Sequence, residues 1–276
     1  MHIRNGKIFS VLLLAAALTC LLCACQPSEK EVDTDKSELP KLKIGVDILK
    51  PFFYKDENGD YTGIDAELTR EACSRAGYEP VFIEVQWDER DEYLEAGTTD
   101  CVWTAFIQDG REDGYCWTES YLESELKVLV AAACQDKTVK DLRSHGAIAV
   151  RAGSKAEEIL LENNAWALTG TGQVYSCGTF KLAEIAFIKG YASGLAGQEE
   201  VLKQIVSEYP GTYRILDDSL MKVHFGVAFY KGNDGEQYEA VNNSIKDMKQ
   251  DGTISAIYEK YDQSLSDKEV ISGDQN

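Results

Sequence analysis

Leu42, Ile44, Val46 and Ile48 alternate with Lys43, Gly45 and Asp47, the two-residue period of a strand with one face in a core. Between 63 and 77 the period becomes helical: Ile64, Leu68, Ala72, Cys73 and Ala76 share a face, and Gly77 is the stop signal. Asn58-Gly59, between these stretches, signals a tight hairpin. A strand is expected over 81–85, a short helix over 90–96 closed by Gly97, and a long apolar strand over 126–133.

A second cycle follows the polar break 135–144. It comprises a strand at 147–150, a helix at 155–162 opened by the capping-box pattern Ser154-Lys-Ala-Glu157, and a strand at 174–177. A helix from Thr179 to Gly190, a Gly-interrupted strand at 191–196, a helix at 198–209 and a strand at 213–216 complete it. One more long strand is expected at 223–230, then helices at 236–251 and 253–261. Strands alternating with helices predict α/β architecture with parallel sheets. Two such cycles divided by two long apolar strands predict two lobes joined by two crossovers, with the last helices returning to the first lobe. The expected boundaries are 41–130 for the first part of lobe 1, 131–224 for lobe 2, 225–262 for the return, and a polar tail over 263–276. Ligands in such folds sit at the carboxyl ends of strands, here between the lobes.

Charge narrows the function. The 276 residues carry 28 Lys+Arg against 47 Asp+Glu, a formal net charge of −19. Nucleic acid and anionic membrane surfaces are therefore poor partners, since phosphate neutralisation needs clustered cations. The three His (His2, His145, His224) are not spaced with one another, so neither a metal site nor a His-based catalytic site is expected, and no cofactor is implied.

The N-terminus reads as an address. Arg4 and Lys7 precede an apolar run from Ile8 to Ala24 that ends in small residues. Residues 1–24 are expected to be a lipoprotein signal peptide, because Leu22-Cys-Ala-Cys25 resembles a bacterial lipobox with Cys25 as the lipidated residue. Residues 25–40 would then be a flexible tether reaching roughly 20 Å from the extracytoplasmic face of the membrane. Five cysteines remain beyond it, Cys73, Cys101, Cys116, Cys134 and Cys177, an odd number whose pairing the spacing leaves open.

The stretch from Asp100 to Arg111 carries candidate chemistry. A short apolar strand passes through the small residues Thr104 and Ala105 and reaches a single cation, Arg111, after Gly110. Hydroxyl and backbone donors on one side and a guanidinium fork on the other make a carboxylate holder; the alternative is a surface turn in which Arg111 pairs with Glu112 or Asp113.

The order of motifs resembles bacterial extracellular solute-binding proteins of family 3, the receptors of polar-amino-acid ABC importers. The resemblance rests on Gly63-Ile-Asp-Ala-Glu-Leu68, on Trp87-Asp88 with Leu94-Glu-Ala-Gly97 and Asp100, and on Asp141-Leu142 with Gly153-Ser154. It closes with Asp251-Gly252 through Tyr261, and so spans about Leu42 to Tyr261. It implies a two-lobe, periplasmic-binding-protein-like fold of type II, acting as a monomer with an ABC permease as partner and performing no chemistry on its ligand. Residue by residue, it implies that Arg111 grips a ligand α-carboxylate with Thr104 and Ala105. Ser154 closes from the other lobe, Phe52 flanks the ligand, and Asp47 meets its distal group. Trp103 is a further wall candidate. Two departures stand out. The run from Asp100 to Arg111 is one residue shorter than the family spacing, and Gln198 stands where an Asp usually pairs with the ligand ammonium. Either Glu199 or Asp47 substitutes, or the ligand is not an ordinary α-amino acid. The acidic chain and Asp47 lean toward a cationic or polar amino acid. A signalling lipoprotein, or an enzyme such as a dehydratase-like relative, would share the fold.

Overall fold

Lys41–Val46 forms β1, with Leu42, Ile44 and Val46 fully buried, in a computed structural model that describes residues 38–162 and 173–262. The expected signal peptide, Cys25, most of the tether and the polar tail lie outside the described residues. After β1 the chain makes a hairpin of β2 (Tyr54–Lys55) and β3 (Tyr61–Thr62) around Asn58-Gly59. The Asp56 carboxylate fastens that turn by accepting the N–H groups of Asn58 and Asp60, each at 2.9 Å. Helix α1 (Ile64–Ala76) ends at Gly77, whose φ of 77° is the left-handed stop that the sequence predicts. β4 (Glu79–Glu84), a 3₁₀ turn (Trp87–Glu89), α2 (Arg90–Glu95), β5 (Cys101–Val102) and β6 (Cys116–Trp117) complete the first pass through lobe 1.

Lobe 2 is built on β7 (Leu122–Ala131), followed by α3 (Val139–Arg143), β8 (Ile148–Arg151), α4 (Lys155–Glu162), β9 (Val174–Cys177) and α5 (Phe180–Ile188). Then come β10 (Gly194–Gln198), α6 (Glu199–Glu208), β11 (Tyr213–Ile215) and β12 (Met221–Phe225). β13 (Ala228–Phe229) re-enters the first sheet, and α7 (Glu236–Gln250) packs on α1, as the expected return of the last helices requires. A helical run over 253–262 follows, and Lys260 pairs with Glu67 of α1 at 2.6 Å.

The first sheet has the order β4-β1-β5-β13-β6 and the second β11-β7-β10-β8-β9, with β12 also on β7. Both are mixed, not purely parallel as expected: β7 runs antiparallel to β10, β11 and β12, and β13 antiparallel to β5 and β6. The long strand expected at 223–230 is two strands in different sheets. The chain turns between them at Gly226, where a Cβ would meet the Gln108 amide at 2.4 Å. β7 likewise belongs wholly to the second sheet, so a lobe boundary at 130 falls inside it, and the connecting chain is 118–121 and 226–227. The polar break at 135–144 contains α3, too short for its apolar period to register but opened by a Thr138–Asp141 capping box. Among the described residues no helix is long and apolar enough to cross a membrane.

Candidate functional site

Four strands end at one place. Asp47 follows β1, Ala105 follows β5 by three residues, Arg151 ends β8 and Gln198 ends β10, so the carboxyl edges of both sheets face each other. Between them lies a small cavity lined by Trp87, Ala105, Ile107 and Arg111 from lobe 1 and by Arg151, Ser154, Lys155, Phe180 and Gln198 from lobe 2. Its volume is about 20 Å³, room for a water or two and not for an organic ligand. Phe180 also borders a second cavity of about 250 Å³ beside Lys50 and Glu208, so the cleft continues past this ring.

Two ion pairs cross between the lobes here. Arg111 donates to the Glu158 carboxylate of α4, and Glu158 is held on its other oxygen by Lys155 at 2.9 Å. Arg151, 4% exposed, donates to Asp47 and lies over the Trp87 ring at 4.4 Å. Burial disfavours the charge of both guanidiniums, and each carboxylate opposes that effect. Burial also lifts the Asp47 carboxyl above its usual range, with Arg151 pulling against it.

Ala105, Arg111, Ser154 and Gln198 therefore line one cavity. Ser154 Oγ also caps α4, accepting the Glu157 N–H at 3.2 Å. Thr104 sits behind the wall, fully buried: its hydroxyl accepts the Asp47 N–H at 3.1 Å and donates to the Trp103 carbonyl at 2.6 Å. Phe52 and Trp103 do not line the cavity. Both are fully buried in lobe 1, Phe52 edge-on to Phe225 at 5.4 Å and Trp103 against Tyr121 at 5.8 Å. For Trp103 the cause is strand alternation, which sends neighbouring Val102 and Trp103 into separate apolar clusters; Phe52 lies in the turn before β2. Glu199, the acid beside Gln198, is 3.5 Å from the Lys127 ammonium and does not line the cavity.

Sequence reasoning missed Arg151, Lys155, Trp87 and Glu158. The available signal was a cation closing a strand, Arg151, followed four residues later by a second at the start of a helix. It also missed Asp65. This fully buried carboxylate accepts the Ala105 N–H at 2.6 Å and so holds Ala105 at a φ of 41°, a left-handed conformation costly to a residue with a Cβ. Burial raises the Asp65 pKa to about 7, with the Ala105 N–H opposing. A carboxyl whose folded pKa exceeds its unfolded value binds more protons folded than unfolded between the two. Stability from Asp65 is thus fully present below about pH 4 and is lost as pH rises through about 7. Unfolding free energies of wild type and Asp65→Asn, measured by urea titration at several pH values, should differ by a pH-dependent part of a few kcal/mol over this window. A flat difference would remove Asp65 as its source.

The sequence model of the bacterial extracellular solute-binding proteins, family 3, matches residues 42–264. The chain belongs to that family. Its relatives include the L-cystine-binding protein TcyA of Bacillus subtilis (strain 168), 28% identical over 234 residues covering 80% of each chain. The histidine-binding periplasmic protein of Salmonella typhimurium is 27% identical over 80% of this chain and 87% of its own. Among solved structures, an ancestral arginine-binding protein bound to arginine superposes with a TM-score of 0.73 at 25% identity, covering 80% of this chain and 97% of that one. The family architecture of two lobes is the one described above.

Proposed function

We propose that this family member captures a small carboxylate-bearing solute, an amino acid or close relative, outside the cytoplasm and delivers it to the permease of an ABC importer. Arg111 is the observation that carries the reading. Its guanidinium lines the interlobe cavity beside Ala105 and Ser154 and already grips one carboxylate, that of Glu158. A ligand carboxylate would take the place of Glu158 on the Arg111 guanidinium. The ligand is bound and released unchanged, a reading supported by relatives named as amino-acid-binding proteins. The protein acts as a monomer and is held to the membrane through lipid on Cys25, with residues 1–24 removed and 25–40 as the tether. The anchor rests on Leu22-Cys-Ala-Cys25. Incorporation of labelled palmitate that Cys25→Ala abolishes is the expected result; unchanged labelling would sink the anchor.

A thermal-shift screen of the purified protein against amino acids and related acids tests the capture. A ligand at 100 times its Kd adds about 2.7 kcal/mol, which for a protein of this size moves Tm by roughly 5–10 °C. No shift with any carboxylate would exclude solute capture, and appearance of a converted product would favour an enzyme.

A further inference from the structure

Gln198 lines the cavity where the family resemblance leads one to look for an acid, and the neighbouring carboxylates do not replace it. Glu199 lies beside Lys127, at 3.5 Å, and Asp47 beside Arg151. The lining side chains bring three cations, Arg111, Arg151 and Lys155, and no carboxylate. These cations feel each other: Arg111 and Arg90 both act against the charge of Arg151. Lys155 reaches across from α4 to lobe 1, its ammonium 2.5 Å from where a Cβ on Gly110 would stand. Within this ring a ligand ammonium meets repulsion and one neutral amide, whereas a second ligand anion meets two further cations.

We propose that the cavity selects a small ligand with two anionic groups, the first taken by Arg111 and the second by Arg151 and Lys155. Dicarboxylates and acidic amino acids, with or without a free amino group, are the class. The inference rests on the capture reading and sharpens its ligand. Asp47 and Glu158 are the exchange partners. Each holds one arginine across the lobes, and each is replaced by one ligand anion. The cationic amino acid toward which the overall charge of the chain leans is the worst match to this ring.

Isothermal titration of the purified protein with glutarate, L-glutamate, N-acetyl-L-glutamate, L-glutamine and L-arginine tests it. The tightest binder should be a dianion. L-glutamine and L-arginine should bind at least about tenfold more weakly than L-glutamate, and glutarate within about tenfold of it. Lys155→Met should weaken L-glutamate about tenfold and leave L-glutamine within about threefold, and Gln198→Asp should move the preference toward L-glutamine. L-glutamine or L-arginine binding as tightly as L-glutamate would overturn the dianion assignment and leave carboxylate capture standing. Equal losses for both ligands in Lys155→Met would also overturn it. Failure of all five to bind would overturn the dianion assignment, while the thermal-shift screen decides carboxylate capture.

Discussion

Arg111→Ala is expected to weaken binding of the carboxylate ligand by roughly 100-fold or more while the protein keeps its fold. Truncating one member of a desolvated, hydrogen-bonded charge pair costs about 2–5 kcal/mol, and about 3 kcal/mol already corresponds to a hundredfold. The Arg111 side chain is 10% exposed, so solvent screens it little. The fold survives because the loop keeps shorter backbone ties of its own, the guanidinium adding only long contacts to the Ile107 and Gly153 carbonyls, each at 3.4 Å. Arg111 N donates to the Gln108 carbonyl at 2.8 Å, and the Arg111 carbonyl accepts Trp117 Nε1 at 2.9 Å and Gly114 N at 3.0 Å. Glu158 is not orphaned, since Lys155 stays at 2.9 Å. Arg111→Lys should recover only part of the affinity, because an ammonium keeps the charge but not the planar fork. Calorimetry and a melting curve on both variants check this; unchanged affinity in Arg111→Ala would end the role of Arg111 as carboxylate anchor.

How far the sequence reveals this site depends on the range of the interaction. The period of β1, the Gly77 stop and the Ser154 cap are local, and each is legible from a few neighbouring residues. Strand direction is not written in hydrophobic period. The expected parallel sheets therefore became mixed ones, and the run 223–230 hid a change of sheet at Gly226. The same limit governs the site. Arg111 was legible because it follows its own strand in a family-like order. The Asp47–Arg151 pair joins residues 104 apart in sequence and became visible only when two strand ends met. That pair changes what Asp47 means. Read alone it is an acid for a cationic ligand; beside Arg151 it is already engaged. Phe52 and Trp103 show the converse, aromatic residues close to the site in sequence that a turn and the strand pleat, respectively, place in the core.

Gly63→Ala should cost about 3–5 kcal/mol and lower Tm by roughly 10 °C, the largest stability loss expected from removing no atom at all. Gly63 precedes α1 with φ 118° and ψ 172°, a region open essentially to glycine alone. A Cβ there would lie 2.4 Å from the Phe52 carbonyl oxygen and 2.7 Å from that of Pro51. Those atoms are backbone, so no side chain can swing away. They are also engaged, accepting the N–H groups of Ile64 at 3.0 Å and Asp65 at 2.8 Å, while Gly63 N donates to the Tyr261 hydroxyl at 3.2 Å. Relieving the clash means moving the first turn of α1, and that turn carries Asp65, which holds Ala105 at the cavity wall. Lost stability should therefore come with lost ligand affinity in whatever fraction still folds. Gly59→Ala separates backbone conformation from close approach. Gly59 also has positive φ, 86°, but nothing lies within 4 Å of its Cβ position, so only about 1 kcal/mol should be lost and affinity should be unchanged. Equal losses from the two substitutions would mean that conformation alone sets the cost. A Gly63→Ala protein melting within about 2 °C of wild type would mean that the loop at 51–52 yields, and that α1 is not fixed to it as described.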